Sequence, residues 1–163
     1  MSSTSATIAL QIRPSAMQDF PAWKPLWDGY NAFYGRVGPT ALPDAVTHAT
    51  WQRFHNPLVP MFALLAERDG AVLGLVHYLF HASTSRLQPV CYLQDLFTVP
   101  ESRGQGVGRA LIEAVYQQAR LAGASRVYWQ TQTTNSVGRA LYDQVAEHKG
   151  FIVYGREIEA AVL

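Results

Sequence analysis

The stretch ESRGQGVGRALIEAV, residues 101–115, places three glycines in five positions directly ahead of an apolar run with helical spacing. Glycine inside a helix costs about 1 kcal/mol per residue relative to alanine. A cluster of them at a helix start must therefore serve the backbone before the helix. That end of a helix carries four unpaired N–H groups and a partial positive charge. Glycine lets the preceding chain turn sharply and approach a ligand with no Cβ in the way. Gly104, Gly106 and Gly108 fit a loop that wraps a pyrophosphate, and Arg103 and Arg109 can add charge-assisted bonds. The dinucleotide pattern G-x-G-x-x-G fails, because Gly104 and Gly106 are followed by Arg109, and no Gly-Lys-Ser/Thr is present. A tight turn without a ligand stays open at this point.

The rest of the chain sets the loop in a mixed α/β (α+β) order. Residues 8–13 read as a strand. Residues 16–35 read as a helix, with Trp23, Trp27, Tyr30 and Tyr34 three or four apart. Residues 42–56 form a second helix, with proline and aspartate at its front. Residues 61–81 form a hairpin turning at Asp69-Gly70, and 90–99 are a third strand of that meander, stopped by Pro100. A helix over 107–123, a strand over 126–133, a helix over 135–149 capped by Asn135 and one or two final strands complete the order. The crossover through 107–123 makes the strands 90–99 and 126–133 parallel neighbours.

With 163 residues, 48% apolar and 15% charged, the chain is expected to be a single domain, 1–163, in which residues 1–7 are a flexible tail. A net charge of +1 without a basic stripe argues against nucleic acid and anionic membranes. No apolar run is long enough for a membrane helix, and the N-terminus lacks a secretion signal, so a cytoplasmic protein is expected. Cys91 is the sole cysteine, read as a buried structural thiol. The five histidines give no metal site. His77 and His81 share a face of a strand but stand roughly 13 Å apart.

The segment LFTVPESRGQGVGRALIEA resembles the acetyl-CoA signature of the GNAT N-acetyltransferases, Arg/Gln-x-x-Gly-x-Gly/Ala between a strand and a helix, with Arg103, Gly106 and Gly108 at the three positions. NSVGRALYDQ resembles that family's Asn-x-x-Ala-x-x-x-Tyr segment, with Asn135 and Tyr142 in register and Gly138 where alanine is usual. The match covers about residues 60–155 and looks similar to the yeast histone/polyamine acetyltransferase subfamily. The resemblance implies a mostly antiparallel mixed sheet of six to seven strands, splayed between the fourth and fifth (90–99 and 126–133), with helices on both faces.

It also implies an acetyl-CoA-dependent N-acetyltransferase without a metal. Backbone groups at Leu96, Phe97 and Thr98 would pair with the pantetheine arm beside a bulge in the strand. The pyrophosphate would lie on Arg103, Gly104, Gln105, Gly106, Val107, Gly108 and Arg109, with Asn135 also at the cofactor. Tyr142 is the expected acid for the leaving thiolate. Diamine acetyltransferases read Leu-Glu-Asp where this chain has Leu93-Gln94-Asp95, so Asp95 becomes the candidate base, acting through water. Trp27, Tyr30 and Tyr34, with Gln94, are candidate acceptor contacts, although a stripe at this spacing also builds core. A small primary amine (polyamine, diamine or amino acid) is the expected acceptor, and a homodimer the expected assembly. A protein-tail acetyltransferase and a non-catalytic acyl-CoA sensor are the alternatives.

Overall fold

The computed structural model describes residues 9–159. Two compact units divide it after Gln130, and each is described by itself. The first contains β1 (Gln11–Pro14), α1 (Phe20–Phe33), α2 (Asp44–Phe54), β2 (Met61–Arg68), β3 (Ala71–Ser83), β4 (Arg86–Thr98), α3 (Val107–Leu121) and β5 (Val127–Tyr128). The second contains α4 (Ser136–Val145). The strands lie in the order β1-β2-β3-β4-β5. The first three pairings are antiparallel, and β4 with β5 is parallel.

The β2–β3 turn follows from its two residues. Asp69 and Gly70 both adopt positive φ, +54° and +75°, as the two central positions of a type I′ hairpin require. Register then sorts the side chains. Leu65 opposes Leu75 and Ala63 opposes His77, while His77 opposes Asp95 and Leu75 opposes Phe97. These residues share one face. Trp23, Leu26, Trp27 and Tyr30 of α1 and Trp51 and Phe54 of α2 pack there with Ala63, Leu65 and Leu75 as one buried cluster. The spacing of three and four that signalled a helix is thus the spacing of its buried stripe.

α3 covers the opposite face. Its buried residues Val107, Leu111, Ile112, Val115 and Ala119 form one stripe. It sits so close that Gly74 of β3 has no room for a side chain. An added Cβ would lie 2.9 Å from Val107 Cγ1 and 3.0 Å from Phe97 O.

The sheet has five strands among the described residues, not six to seven, and β5 spans two residues where eight were expected. α4 ends at Val145, before the expected 149. The final strands read from FIVYGREIEAAVL are not formed through 159. Phe151, Ile152, Val153 and Tyr154 carry strand-forming side chains but stay exposed, and a strand needs a ladder partner as well as propensity. Residues 160–163 and the expected tail 1–7 lie outside the described residues. Among those described, no helix is long and apolar enough to cross a membrane.

Gly74→Ala is expected to destabilise the protein by about 1–3 kcal/mol, because the carbonyl of Phe97 belongs to the backbone and cannot step aside. Urea unfolding followed by tryptophan fluorescence measures it.

Candidate active site

One extra residue opens the sheet. On β4, His77 opposes Asp95 and Tyr78 opposes Leu93, which leaves Gln94 as a bulge. Ahead of it, the Cys91 N–H points at the β5 side and bonds the Arg126 carbonyl at 2.9 Å. Past it the alternation has changed phase. The Val99 N–H bonds Leu73 O at 2.9 Å, so Phe97, two residues earlier, also turns its peptide groups to β3. Leu96 and Thr98 then turn theirs the other way. β4 and β5 pair only at Cys91–Val127 and Tyr92–Tyr128, so the stretch from Leu93 to Thr98 runs on without a strand on its β5 side. Of the three backbone positions expected to meet a pantetheine arm, Leu96 and Thr98 face this open side. Phe97 does not, because strand alternation commits its N–H and C=O to the ladder with β3.

The glycine loop lies at the end of the same strand. Gly104 and Gly106 adopt φ of +72° and +83°, and Gly106 is the N-cap of α3 without a side-chain cap bond. An added Cβ at either glycine would meet nothing within 4 Å. The tip of α3 thus presents bare amides. Arg103 donates from Nε to Thr98 O at 3.3 Å and rests over the Phe97 ring. Gln105 donates to the Glu101 carbonyl and accepts from Arg68 Nη1 at 3.1 Å. Val107 is buried as the first residue of α3's apolar stripe. Gly108 and Arg109 follow within its first turn.

Asp95, on the α1 face, is only 8% exposed. Its Oδ2 accepts from His77 Nδ1 at 2.9 Å, and Tyr30 of α1 lies within electrostatic reach of the carboxylate. Burial first, and then the Asp95 carboxylate, raise the Tyr30 phenol far above its ordinary value, so this hydroxyl remains a donor. Tyr34 is raised for the same two reasons. Trp27 stacks between Trp23 and Tyr30, 6% exposed, with its indole N–H on Thr47 Oγ1 at 3.3 Å. Trp27 and Tyr30 are therefore part of the core, and Tyr34 flanks it. Gln94 is exposed. Cys91 is fully buried, and burial pushes its thiol up to about 12, the state of a structural thiol.

In the second unit, Asn135 caps α4 by accepting the Gly138 N–H on Oδ1 at 3.2 Å, and its Nδ2 donates to Thr131 Oγ1 at 3.0 Å. Tyr142 lies about two turns further along the same helix, half-buried.

Sequence reasoning missed four residues. His77 meets Asp95 from 18 positions away and Trp23 meets His77 from 54, separations with no local signature. Arg36, just past α1, donates from Nε to Asn31 Oδ1 at 2.7 Å, with its guanidinium 5.7 and 5.4 Å from the Tyr30 and Tyr34 ring centres. Arg68 reaches the glycine loop from the end of β2, 37 positions from Gln105, again with no local signature.

Comparison with known proteins agrees with this geometry. The profile described as Acetyltransferase (GNAT) family matches residues 23–146. The D-amino-acid N-acetyltransferase HPA3 of Saccharomyces cerevisiae is 36% identical over 141 residues, 85% of each chain. The uncharacterized N-acetyltransferase YhfO of Bacillus subtilis is 29% identical over 93% of this chain and 99% of its own. The fold is shared with the aminoglycoside N-acetyltransferase AAC(6')-Iy, solved in complex with CoA. The TM-score is 0.80 at 18% identity, covering 94% of this chain and 98% of that one.

Gly106→Val tests the loop. The added side chain meets no neighbour, so the cost is the positive φ, about 1–2 kcal/mol of stability. The protein stays folded by circular dichroism, while acetyl-CoA affinity measured by calorimetry falls roughly thirtyfold or more, a loss of about 2 kcal/mol. Unchanged affinity would displace the cofactor from this loop.

Proposed function

The chain belongs to the GNAT family of acetyltransferases and is an acetyl-CoA-dependent N-acetyltransferase; from that premise, we propose that its acceptor is a primary amine on a small molecule and that the amine attacks the thioester directly. The observation that carries the reading is the half of β4 beyond Tyr92, unpaired on its β5 side, leading to the uncapped tip of α3.

The pyrophosphate of acetyl-CoA is held by the amides of residues 104–108, with Arg103 and Arg109 as cations and Arg68 a further one nearby. The pantetheine arm pairs with the open groups of Leu96 and with the N–H of Thr98, whose carbonyl is taken by Arg103. The amine nitrogen bonds to the thioester carbon, charge collects on the carbonyl oxygen, and the C–S bond then breaks. The open N–H of Leu96 receives that oxygen.

Two protons remain. An alkylamine with a pKa of about 10.4 is neutral in roughly one molecule in 10³ at pH 7, a handicap of about 4–5 kcal/mol. The Asp95 carboxylate takes the amine proton through a water molecule. Tyr142 gives its proton to the leaving thiolate. Asn135 shapes the start of the helix that carries Tyr142. Gln94, exposed beside the bulge, meets the acceptor.

Arg36 supports an acceptor that also carries a carboxylate. Asn31 and two aromatic rings hold its guanidinium, and no carboxylate among the described residues lies within 4 Å of it. Such a pairing suits an amino acid better than a diamine, and the amino-acid activity in the name of the yeast relative agrees. We read the protein as cytoplasmic and homodimeric, a second copy covering the exposed apolar stretch Phe151–Tyr154.

Assays over D- and L-amino acids, diamines, polyamines and short peptides, following CoA release, decide the acceptor. Turnover is expected on amino acids. Arg36→Ala raises their KM about tenfold or more and leaves any diamine activity unaltered. Activity confined to peptides would defeat the small-molecule reading.

Tyr142→Phe is expected to lower kcat by about 10²-fold or more with acetyl-CoA affinity retained. An undiminished kcat would remove Tyr142 as the acid.

A further inference from the structure

β3 carries an imidazole that the reaction above does not use. His77 is 2% exposed and lies between two partners. Trp23 Nε1 is 2.9 Å from its Nε2, and Asp95 Oδ2 is 2.9 Å from its Nδ1. An indole N–H can only donate, so Nε2 must accept and the ring proton must sit on Nδ1, from which it is donated to the carboxylate. The chain of bonds therefore runs one way, from Trp23 through His77 to Asp95. Trp23, Trp27 and Phe54 surround the imidazole, with the Phe54 ring centre 4.4 Å away.

We propose that His77 is a positioning residue, locked in its Nδ1–H tautomer by Trp23, that fixes the orientation of the Asp95 carboxylate for proton transfer from the acceptor. This rests on the assignment of Asp95 as the base. The arrangement inverts the order of a hydrolase triad, in which a buried carboxylate orients a histidine that moves the proton. Here the outer nitrogen is sealed by an indole, so the imidazole has no free site to pass a proton onward. The carboxylate is the member left to act. The Tyr30 ring stacks on Trp27 on the same side of the sheet. The other titratable or charged groups on this side are Tyr34 and Arg36 past α1, Tyr92 on β4, His48 of α2 stacked on Phe20, and His55 at the end of α2 against Trp51.

The test pairs His77→Leu with His77→Gln. Leucine removes both bonds. Glutamine can accept from Trp23 through Oε1 and donate to Asp95 through Nε2. His77→Leu is expected to lower kcat tenfold or more and to move the acidic limb of the kcat/KM pH profile, with acetyl-CoA affinity unchanged. His77→Gln recovers to within threefold of the parent. A leucine variant with the parent's kcat and pH profile overturns the proposal, as does a glutamine variant as impaired as leucine. Nitrogen NMR of the unmutated protein at neutral pH needs no variant to fold. A protonated Nδ1 and bare Nε2 at His77 support the chain of bonds, and the reverse tautomer refutes it. Asp95→Asn with undiminished turnover would remove the base assignment, an outcome separate from the tautomer result.

Discussion

The bulge at Gln94 is the constraint on which the rest of the site depends. In an unbroken strand, residues 93 and 95 would share a face. The extra residue sets Leu93 and Asp95 on opposite faces, opposite Tyr78 and His77 respectively. It also changes which peptide groups look away from β3, and the pairing with β5 lapses beyond Tyr92. One inserted position thus brings a carboxylate under α1, frees a run of backbone donors and acceptors, and begins the separation of two parallel strands. A bulge forfeits ladder bonds, and that loss is tolerable here because the groups it frees have a proposed use.

The packing around the carboxylate explains how a charged group stays inside. Trp23, Trp27 and Tyr30 stack in sequence along α1, and Trp51 and Phe54 meet them from α2. Taking a carboxylate out of water is costly unless donors replace the lost hydration. His77 is such a donor, and the aromatic cluster holds it in place. The helix identified by its aromatic spacing therefore does two things with one stripe: it closes the core and walls in the His77–Asp95 pair.

Legibility in the sequence followed the range of the interaction. The hairpin turn at Asp69-Gly70, the amphipathic α3 and the glycine tip are set by neighbours in the chain and could be read directly. The two recognised motifs placed the whole chain in its family. The strand reading of 71–83 also kept His77 and His81 from being taken as a metal pair. In the folded protein they have separate partners, Trp23 and Asp95 for one and the Tyr128 hydroxyl for the other. The Trp23–His77–Asp95 chain was not legible, because it joins a helix and two strands across a register that a single slipped residue changes. Arg36 gave no pattern either, being one cation in a turn. The missing final strands show the reverse error, a strand-like pattern in Phe151–Tyr154 that makes no ladder among the described residues.

Gln94 has a further consequence because it is looped out of the ladder and its side chain is exposed. No core packing holds that side chain in place, so this position is free to drift under selection. A carboxylate, an amide or a small group could occupy it while the scaffold stands unchanged. Evolution can therefore alter the surface beside the bulge by single exchanges at a site insulated from stability. That insulation offers a physical route by which one architecture diversifies among amines.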